Sequence, residues 1–480
     1  MNFRGVLFLL GRLLLTLAAA LLVPAALAFY LGRGQLAEFL TAAGITGVVG
    51  VLLEWVFRQK GEFRFGRREA FLLVSCAWVT ASLAGALPYI LIKGWGFTVN
   101  ALFESASGFT TTGASVLQNV EAEAAPLMLW RSLTQWLGGM GIIVLGIAIL
   151  PRLAVGGTQL LGAEAPGPTT EKLTPRIAQT AKALWAIYVL LTGAEVLTLM
   201  LLGMGWLEAV NHALTTMATG GFSTRAASIG AYGSSIQIAI TFFMVLAGVN
   251  FALHFKCLLG KPLAAIRDPE FRLYIWILTA ATLFLALDLV RAGRGLGTAF
   301  RLAAFQAATI VTTTGFATED FNLWPSFSRA LLFTLMFVGG CAGSTGGSVK
   351  VVRIMILGKK VLKDLKQMVQ PRAVFPVRVG TRAIPADIVS SVMTFVVLFL
   401  IIYAVGGLLL GAMGFDLVTS FSASAACLGN IGPGFELVGP SQTFEFFPPA
   451  AKLLLVALML VGRLELYTVL VIIFFSRRLL

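Results

Sequence analysis

A run of hydroxyls closed by a glycine, Thr110-Thr111-Thr112-Gly113, lies inside the stretch SGFTTTGAS at 107–115, between two long apolar segments. A cation that sheds its water needs neutral oxygens, and main-chain carbonyls aimed at one axis supply them without adding net charge. Much the same phrase returns as VTTTGFAT at 311–318, and weaker copies stand at ATGGFST, 218–224, and LGNIGPGF, 428–435. The candidate coordinating set is therefore Thr110, Thr111, Thr112 and Gly113; Thr219, Gly220 and Gly221; Thr313, Thr314 and Gly315; and Asn430, Ile431 and Gly432. Glycine ends each set because it accepts positive φ at little steric cost. One such loop alone reads as close helix packing. Four at equivalent places read as one pore lining, contributed four times by a single chain.

Irregular backbone at membrane depth has to sit within protein or beside a water-filled path, because hydrocarbon satisfies no N–H or C=O group. Composition puts these loops at that depth. Of 480 residues, 58% are hydrophobic and 12% charged, whereas about a quarter are charged in soluble domains. Runs of roughly 20 apolar residues, each able to cross about 30 Å of hydrocarbon, recur along the length. The fold class expected is an all-α membrane protein, with no stretch long enough for a soluble domain. The net charge of +14 falls mostly in alternate loops, which the positive-inside rule explains without nucleic acid. Cys76, Cys257, Cys341 and Cys427 have no metal spacing and read as buried thiols. The first 30 residues carry early arginines and PAALA at 24–28, but the apolar run exceeds the 7 to 15 residues of a signal peptide, so an uncleaved first helix is expected.

The elements that must position the loops follow in order. Two spans, near 5–31 and 36–57, form an N-terminal segment 1–68 that ends in the basic cluster Arg58, Lys60, Arg64, Arg67 and Arg68. A unit then repeats: a spanning helix, a half-helix, a Gly/Thr loop and a second spanning helix. The units are 69–180 (helices 71–93, 99–109, 127–150, closing at Pro151-Arg152), 181–268 (181–204, 206–217, 235–258), 269–382 (271–291, 298–310, 328–357) and 383–480 (386–411, 414–427, 449–475, closing at Arg477-Arg478). Lys256, Lys261, Arg267 and Arg272 mark the inner end of the second unit, and the stretch from Lys350 and Arg353 through Lys359, Lys360, Lys363, Lys366, Arg372, Arg378 and Arg382 marks that of the third. Both termini are then cytoplasmic, and the loops enter from outside. Each half-helix points its carbonyl end at the membrane centre, which favours cations over anions. Glu121, Glu123, Glu319, Asp320, Glu436 and Glu445 fall on the outer face. They read either as an acidic mouth that concentrates cations or as ordinary solvated charges.

Two further features lie in the last two units. The third unit's second helix is interrupted by Gly339, Gly340, Gly343, Ser344, Thr345, Gly346 and Gly347; each glycine costs a helix about 1 kcal/mol relative to alanine, so this segment breaks. Arg463 sits deep in the last helix, where a charge costs at least about 2.5 kcal/mol, and so must face water or a partner. Glu465, two positions away, points to another face. Glu104, His212 and Gln306, on the half-helices, read as packing groups behind the loops, and His254 as uninformative.

The stretches ALFESASGFTTTGAS (101–115), GGCAGSTGGSVK (339–350) and GRLELYT (462–468) resemble those of TrkH-type membrane subunits of bacterial potassium uptake systems, in the Trk/Ktr/HKT superfamily. The resemblance covers nearly the whole chain. It implies four non-identical repeats around one potassium pore in the bacterial inner membrane, with K⁺ as the ion held at Thr111, Thr112, Thr219, Gly220, Thr313, Thr314, Asn430 and Ile431. It further implies that the broken helix is an intramembrane gate, that Arg463 is an electrostatic barrier below the filter, and that the chain forms a homodimer docked on a cytoplasmic TrkA-type nucleotide-binding ring. The second and fourth loops depart from Thr-Thr-Gly, which puts their coordinating atoms in doubt. Membrane lipid is the remaining partner expected, and no organic cofactor is called for.

The nearest rival is a K⁺ symporter coupled to H⁺ or Na⁺, with Glu195, Asp288 and Glu465 as an intramembrane proton path. An enzyme is disfavoured: there is no phosphate loop, no His-Glu-x2-His, and the chain has only two histidines.

Overall fold

The computed structural model describes residues 3–32, 34–58, 67–148 and 173–464. Lys60, Arg64, Pro151, Arg152, Glu465, Arg477 and Arg478, with the ends of the motif at 462–468 and of the helices expected at 127–150 and 449–475, lie outside the described residues. Apart from a two-stranded antiparallel hairpin, β1 (Arg378–Val379) and β2 (Arg382–Ala383), the regular structure is helical.

The N-terminal pair is α1 (Phe3–Leu31) and α2 (Leu36–Val56). The first unit holds α3 (Arg67–Lys93), α4 (Thr98–Phe109) and α5 (Ala125–Ala148). The second holds α6 (Leu173–Leu201), α7 (Trp206–Met217), α8 (Ser234–Ala247) and α9 (Phe251–Leu258), followed by the short α10 (Leu263–Arg267). The third holds α11 (Pro269–Arg291), α12 (Leu296–Val311), α13 (Ser326–Leu335) and α14 (Val351–Val369). The fourth holds α15 (Ala386–Ala412), α16 (Leu417–Leu428) and α17 (Pro449–Arg463). Among the described residues six helices are long and apolar enough to cross a membrane, and the α8–α9 pair makes a seventh span if its two parts count as one. Large apolar side chains remain exposed along α2 (Val48, Val51, Leu52) and α15 (Val397, Leu400, Leu408). On a water-soluble surface that would be an anomalous patch; against lipid it is the expected outer wall.

Each outer helix packs on its own half-helix: α3 on α4, α6 on α7, α11 on α12 and α15 on α16. Second helices reach forward to the next unit, with α5 on α7, α8 on α12, α14 on the fourth unit's outer helix α15, and α17 on α4, so the fourth unit closes back on the first. This circular hand-off sets the half-helices around one centre.

One difference from the sequence expectation stands out. The second unit's inner helix is not continuous from 235 to 258 but bends by 98° between α8 and α9. Gly248 ends α8, and Asn250 starts α9 by accepting from the Ala252 N–H at 2.8 Å. His254 ties across the bend to the Leu246 carbonyl, 3.0 Å away. Asparagine is a strong N-cap, and a glycine followed two residues later by a capping side chain is a readable break signal.

Candidate pore and gate

All four half-helices end the same way. In the first unit the N–H of Thr111 bonds the Gly108 carbonyl and that of Thr112 bonds the Ser107 carbonyl. The pairs Thr219 to Thr216 and Gly220 to Thr215, Thr313 to Ile310 and Thr314 to Thr309, and Asn430 to Cys427 and Ile431 to Ala426 repeat it. This double bond is the Schellman closure, which needs a left-handed residue after the cap. That residue is Thr111 (φ 54°), Thr219 (52°), Thr313 (59°) and Asn430 (52°). Asparagine tolerates this region; a β-branched threonine there is a genuine outlier, at a cost of about 1–3 kcal/mol. Two residues later come Gly113, Gly221, Gly315 and Gly432, with φ of 83°, 73°, 83° and 102°. The less regular second and fourth loops share the backbone course of the first and third.

The glycines also close a ring. A Cβ on Gly113 would run into the Gly220 carbonyl, one on Gly221 into that of Thr314, and one on Gly315 into that of Ile431. On Gly432 it would stand 2.8 Å from the Thr112 oxygen. Each loop therefore packs its glycine on the next loop's preceding carbonyl, first to second to third to fourth and back to first. The four candidate coordinating sets meet at one centre, with the C-terminal ends of α4, α7, α12 and α16 directed at it.

Side chains behind the ring fix each loop. Thr110 bonds the Ala106 carbonyl and the Thr112 hydroxyl at 2.6 and 2.7 Å, and Thr312 does the same to Ala308 and Thr314 at 2.7 Å each. Asn430 donates to Thr112 Oγ1 and to the Met459 carbonyl, both at 3.0 Å, joining fourth loop to first and to α17. Sequence reasoning missed Gln135 of α5, which donates to the Gly220 carbonyl at 2.7 Å and accepts from the Phe222 N–H at 3.1 Å. One lone pair of the Gly220 oxygen is thereby occupied. Arg131, one turn earlier, pairs with buried Glu104 at 2.5 Å, donates to the Ser223 carbonyl at 2.9 Å and lies 3.6 Å over the Phe222 ring. Glu104 also receives Ser115 Oγ and the Val116 N–H, and His212 contacts Ser223 Oγ at 3.1 Å. An arginine and a glutamine one turn apart in an apolar helix were the signal available.

The six carboxylates expected at the outer mouth make a less acidic surface than their number suggests. Glu123 pairs with Lys93, Glu319 with Arg294 and Glu436 with Arg329, at 2.5, 3.1 and 2.6 Å. Asp320 accepts from the Asn322 N–H. The three ion pairs weaken the long-range pull that an acidic mouth would exert.

At the inner end of the loops lies the break between α13 and α14, residues 336–350. Here Gly339 and Gly340 pair with Val349 and Val351, Gly343 has φ 74°, and Ser344 Oγ bonds the Cys341 carbonyl at 2.6 Å. Thr345 Oγ1 donates to the Met217 carbonyl at 3.1 Å and the Gly347 N–H to Thr313 Oγ1 at 2.7 Å. A Cβ on Gly346 would lie 3.0 Å from the Thr312 oxygen, and one on Gly347 would overlap that of Gly429. The segment thus touches the inner ends of the second, third and fourth loops. It meets the second break too: Cys341 donates to the Gly248 carbonyl at 2.9 Å and Phe251 to that of Gly343 at 3.1 Å.

Arg463, 2% exposed, donates to the Thr345 carbonyl at 2.7 Å and the Gly138 carbonyl at 3.3 Å. Lys350 and Arg353, which the sequence reading placed at the head of the basic stretch closing the third unit, differ from the rest of that stretch in their burial. Both are buried, Lys350 donating to the Gly346 carbonyl and Arg353 lying 3.8 Å over the Phe395 ring. With Arg463, Gly346, Asn430 and Phe395 they line one small cavity beneath the ring. Asp288 caps α13, accepting from Ser328 N and Oγ at 3.1 and 2.6 Å. Glu195 is fully buried in α6.

The sequence profile of the TrkH family, described as cation transport protein, matches residues 37–477. Among proteins of known role, the Trk system potassium uptake protein TrkH of Escherichia coli (strain K12) is 40% identical over 481 residues, covering 98% of both chains. The protein of that name from Halomonas elongata is 38% identical over 484 residues, again covering 98% of each. Among solved structures, the crystal structure of the potassium transporter TrkH from Vibrio parahaemolyticus superposes with a TM-score of 0.90 at 37% identity, covering 98% of both chains.

Proposed function

The chain belongs to the TrkH family of cation transport proteins, and from that premise we propose that it is a gated potassium pore for K⁺ uptake across the bacterial inner membrane, with both termini cytoplasmic. The observation that carries this reading is the closed ring in which Gly113, Gly221, Gly315 and Gly432 each abut a carbonyl of the next loop. Carbonyls of Thr111, Thr112, Thr219, Gly220, Thr313, Thr314, Asn430 and Ile431 replace the hydration shell of K⁺, which is the substrate, and the half-helix ends favour its charge. The segments 1–68, 69–180, 181–268, 269–382 and 383–480 act as an N-terminal pair and four pore units.

In this reading residues 339–347 form the gate, and Arg463, with Lys350 and Arg353, sets a positive barrier beneath the filter. The full assembly is a homodimer in lipid that docks on a cytoplasmic TrkA-type regulatory subunit, for which the solvated lysines of α14 and the β1–β2 hairpin offer a basic face. The chain itself needs no organic cofactor.

The test is potassium and sodium flux into liposomes holding the purified chain. Net flux that reverses where the K⁺ gradient alone is balanced is expected; flux that a proton or sodium gradient drives against the K⁺ gradient would replace the pore by a coupled symporter. That second reading draws on Glu195, a fully buried carboxylate.

A further inference from the structure

Glu270 opens α11 and is 9% exposed. Its Oε1 accepts two backbone N–H groups, from Ala342 at 2.6 Å and from Val352 at 3.1 Å. Ala342 lies in the middle of the glycine-rich stretch, between Gly340 and Gly343, and Val352 stands just past it in the first turn of α14. One carboxylate oxygen therefore ties the middle of the break and the start of the helix that follows it to the outer helix of the same unit. The break's other ties to neighbours, such as Cys341 to Gly248, Phe251 to Gly343, Thr345 to Met217 and Arg463 to Thr345, each hold one point. Both bonds to Glu270 share one acceptor oxygen and so are lost together when that oxygen is removed. They exist only while the loop lies under the ring, since a displaced loop gives its N–H groups to water.

An interaction made in one of two states shifts the balance between them by its own differential free energy. We propose that Glu270 is a positioning residue, a latch that holds the break between α13 and α14 closed beneath the ring; this rests on the gate reading above. The latch works through an acceptor oxygen, so the amide of Glu270→Gln, which keeps an Oε1, retains it, whereas Glu270→Ala removes it. Glu270→Asp keeps the charge but falls one methylene short of both donors.

The experiment uses the purified full chain in liposomes without regulatory subunit, with two readouts. One is K⁺ flux. The other is alkylation of Cys341, buried within the break, by a water-soluble thiol reagent, read on its own peptide by mass spectrometry. Glu270→Ala and Glu270→Asp are expected to raise flux about tenfold and to expose Cys341, while Glu270→Gln keeps parental flux and a protected thiol. Parental flux and protection in both Ala and Asp variants overturn the latch, as does a Gln variant that opens as widely as Ala. Should Glu270→Ala not fold, the Asp and Gln pair decides alone. Deleting residues 343–347 separates the two readings: unchanged flux on deletion sinks the gate itself, whereas raised flux on deletion with parental behaviour of Glu270→Ala and Glu270→Asp sinks only the latch.

Discussion

Arg463 reaches across the chain to the Thr345 carbonyl, 2.7 Å from its Nη1, so the buried cation of the last described helix is held by the broken helix of the preceding unit. The same guanidinium donates to the Gly138 carbonyl of α5. The charge proposed as the barrier beneath the filter and a strut between three units are thus one side chain. Arg463→Ala is expected to raise K⁺ flux in liposomes several-fold, because it removes the barrier and frees Thr345 together. Arg463→Lys separates the two roles: a lysine keeps the charge but not the planar fork. Flux near the parental value in the Lys variant assigns the effect to charge; flux equal to the Ala variant assigns it to the strut.

The ring of glycines makes a sharper demand. Gly113 combines φ 83° with a position where a methyl group would overlap the Gly220 carbonyl, and that carbonyl is itself held by Gln135. Gly113→Ala should therefore abolish flux or remove K⁺ over Na⁺ selectivity. Gly193, within α6, has open space where its Cβ would go. Gly193→Ala should leave transport unchanged and add up to about 1 kcal/mol of helix preference, measurable as an equal or higher melting temperature in detergent.

Why the second and fourth loops were hard to read follows from what a sequence carries. Thr-Thr-Gly announces itself, but at Thr219-Gly220-Gly221 and Asn430-Ile431-Gly432 the common property is a backbone course, a left-handed residue two places before a left-handed glycine. Spacing located Gly221 and Gly432 although their neighbours changed. The half-helices were legible for the same reason: Trp206–Met217 is bounded by glycines and by the loop it serves. What stayed hidden depends on distant partners. Lys350 and Arg353 look like the head of a solvated basic stretch until the chain folds them under the ring, and Glu270 looks like an ordinary first-turn acid until residues 72 and 82 positions away turn their N–H groups toward it. The bend at Gly248 was written locally, yet an apolar run of spanning length outweighed it.

Arg131 and Glu104 support two loops at once. Glu104 holds Ser115 and Val116 after the first loop, while Arg131 holds Ser223 and Phe222 after the second. Removing one member of a buried pair strands the other, a loss of about 3–5 kcal/mol. Arg131→Met is expected to lower stability by that order in detergent thermal unfolding and to loosen selectivity. The double variant Arg131→Met with Glu104→Gln should recover part of the stability, since no unpaired charge is left, without restoring selectivity. Equal losses in single and double variants would mean that packing on Phe222, not charge pairing, is what Arg131 contributes.

Glu104, His212 and Gln306 occupy the same place, nine residues before the loop glycine, and the residue two after that glycine is Ser115, Ser223 and Ala317 respectively. In the first two units the half-helix side chain bonds the serine hydroxyl. In the third, residue 317 carries no hydroxyl, and neither amide atom of the fully buried Gln306 has a hydrogen-bond partner within the described residues. A buried polar group left unpaired costs about 1–3 kcal/mol. Ala317→Ser is therefore expected to stabilise the protein by about 1 kcal/mol, because it repeats in the third unit the contact that the first two already make. Gln306→Leu should also stabilise, by deleting the unpaired amide, and adding Ala317→Ser to Gln306→Leu should then bring no further gain. Melting temperatures of the two single variants and the double variant, compared in one detergent, check the cycle; an independent gain from Ala317→Ser in the absence of Gln306 would show that the hydroxyl acts elsewhere.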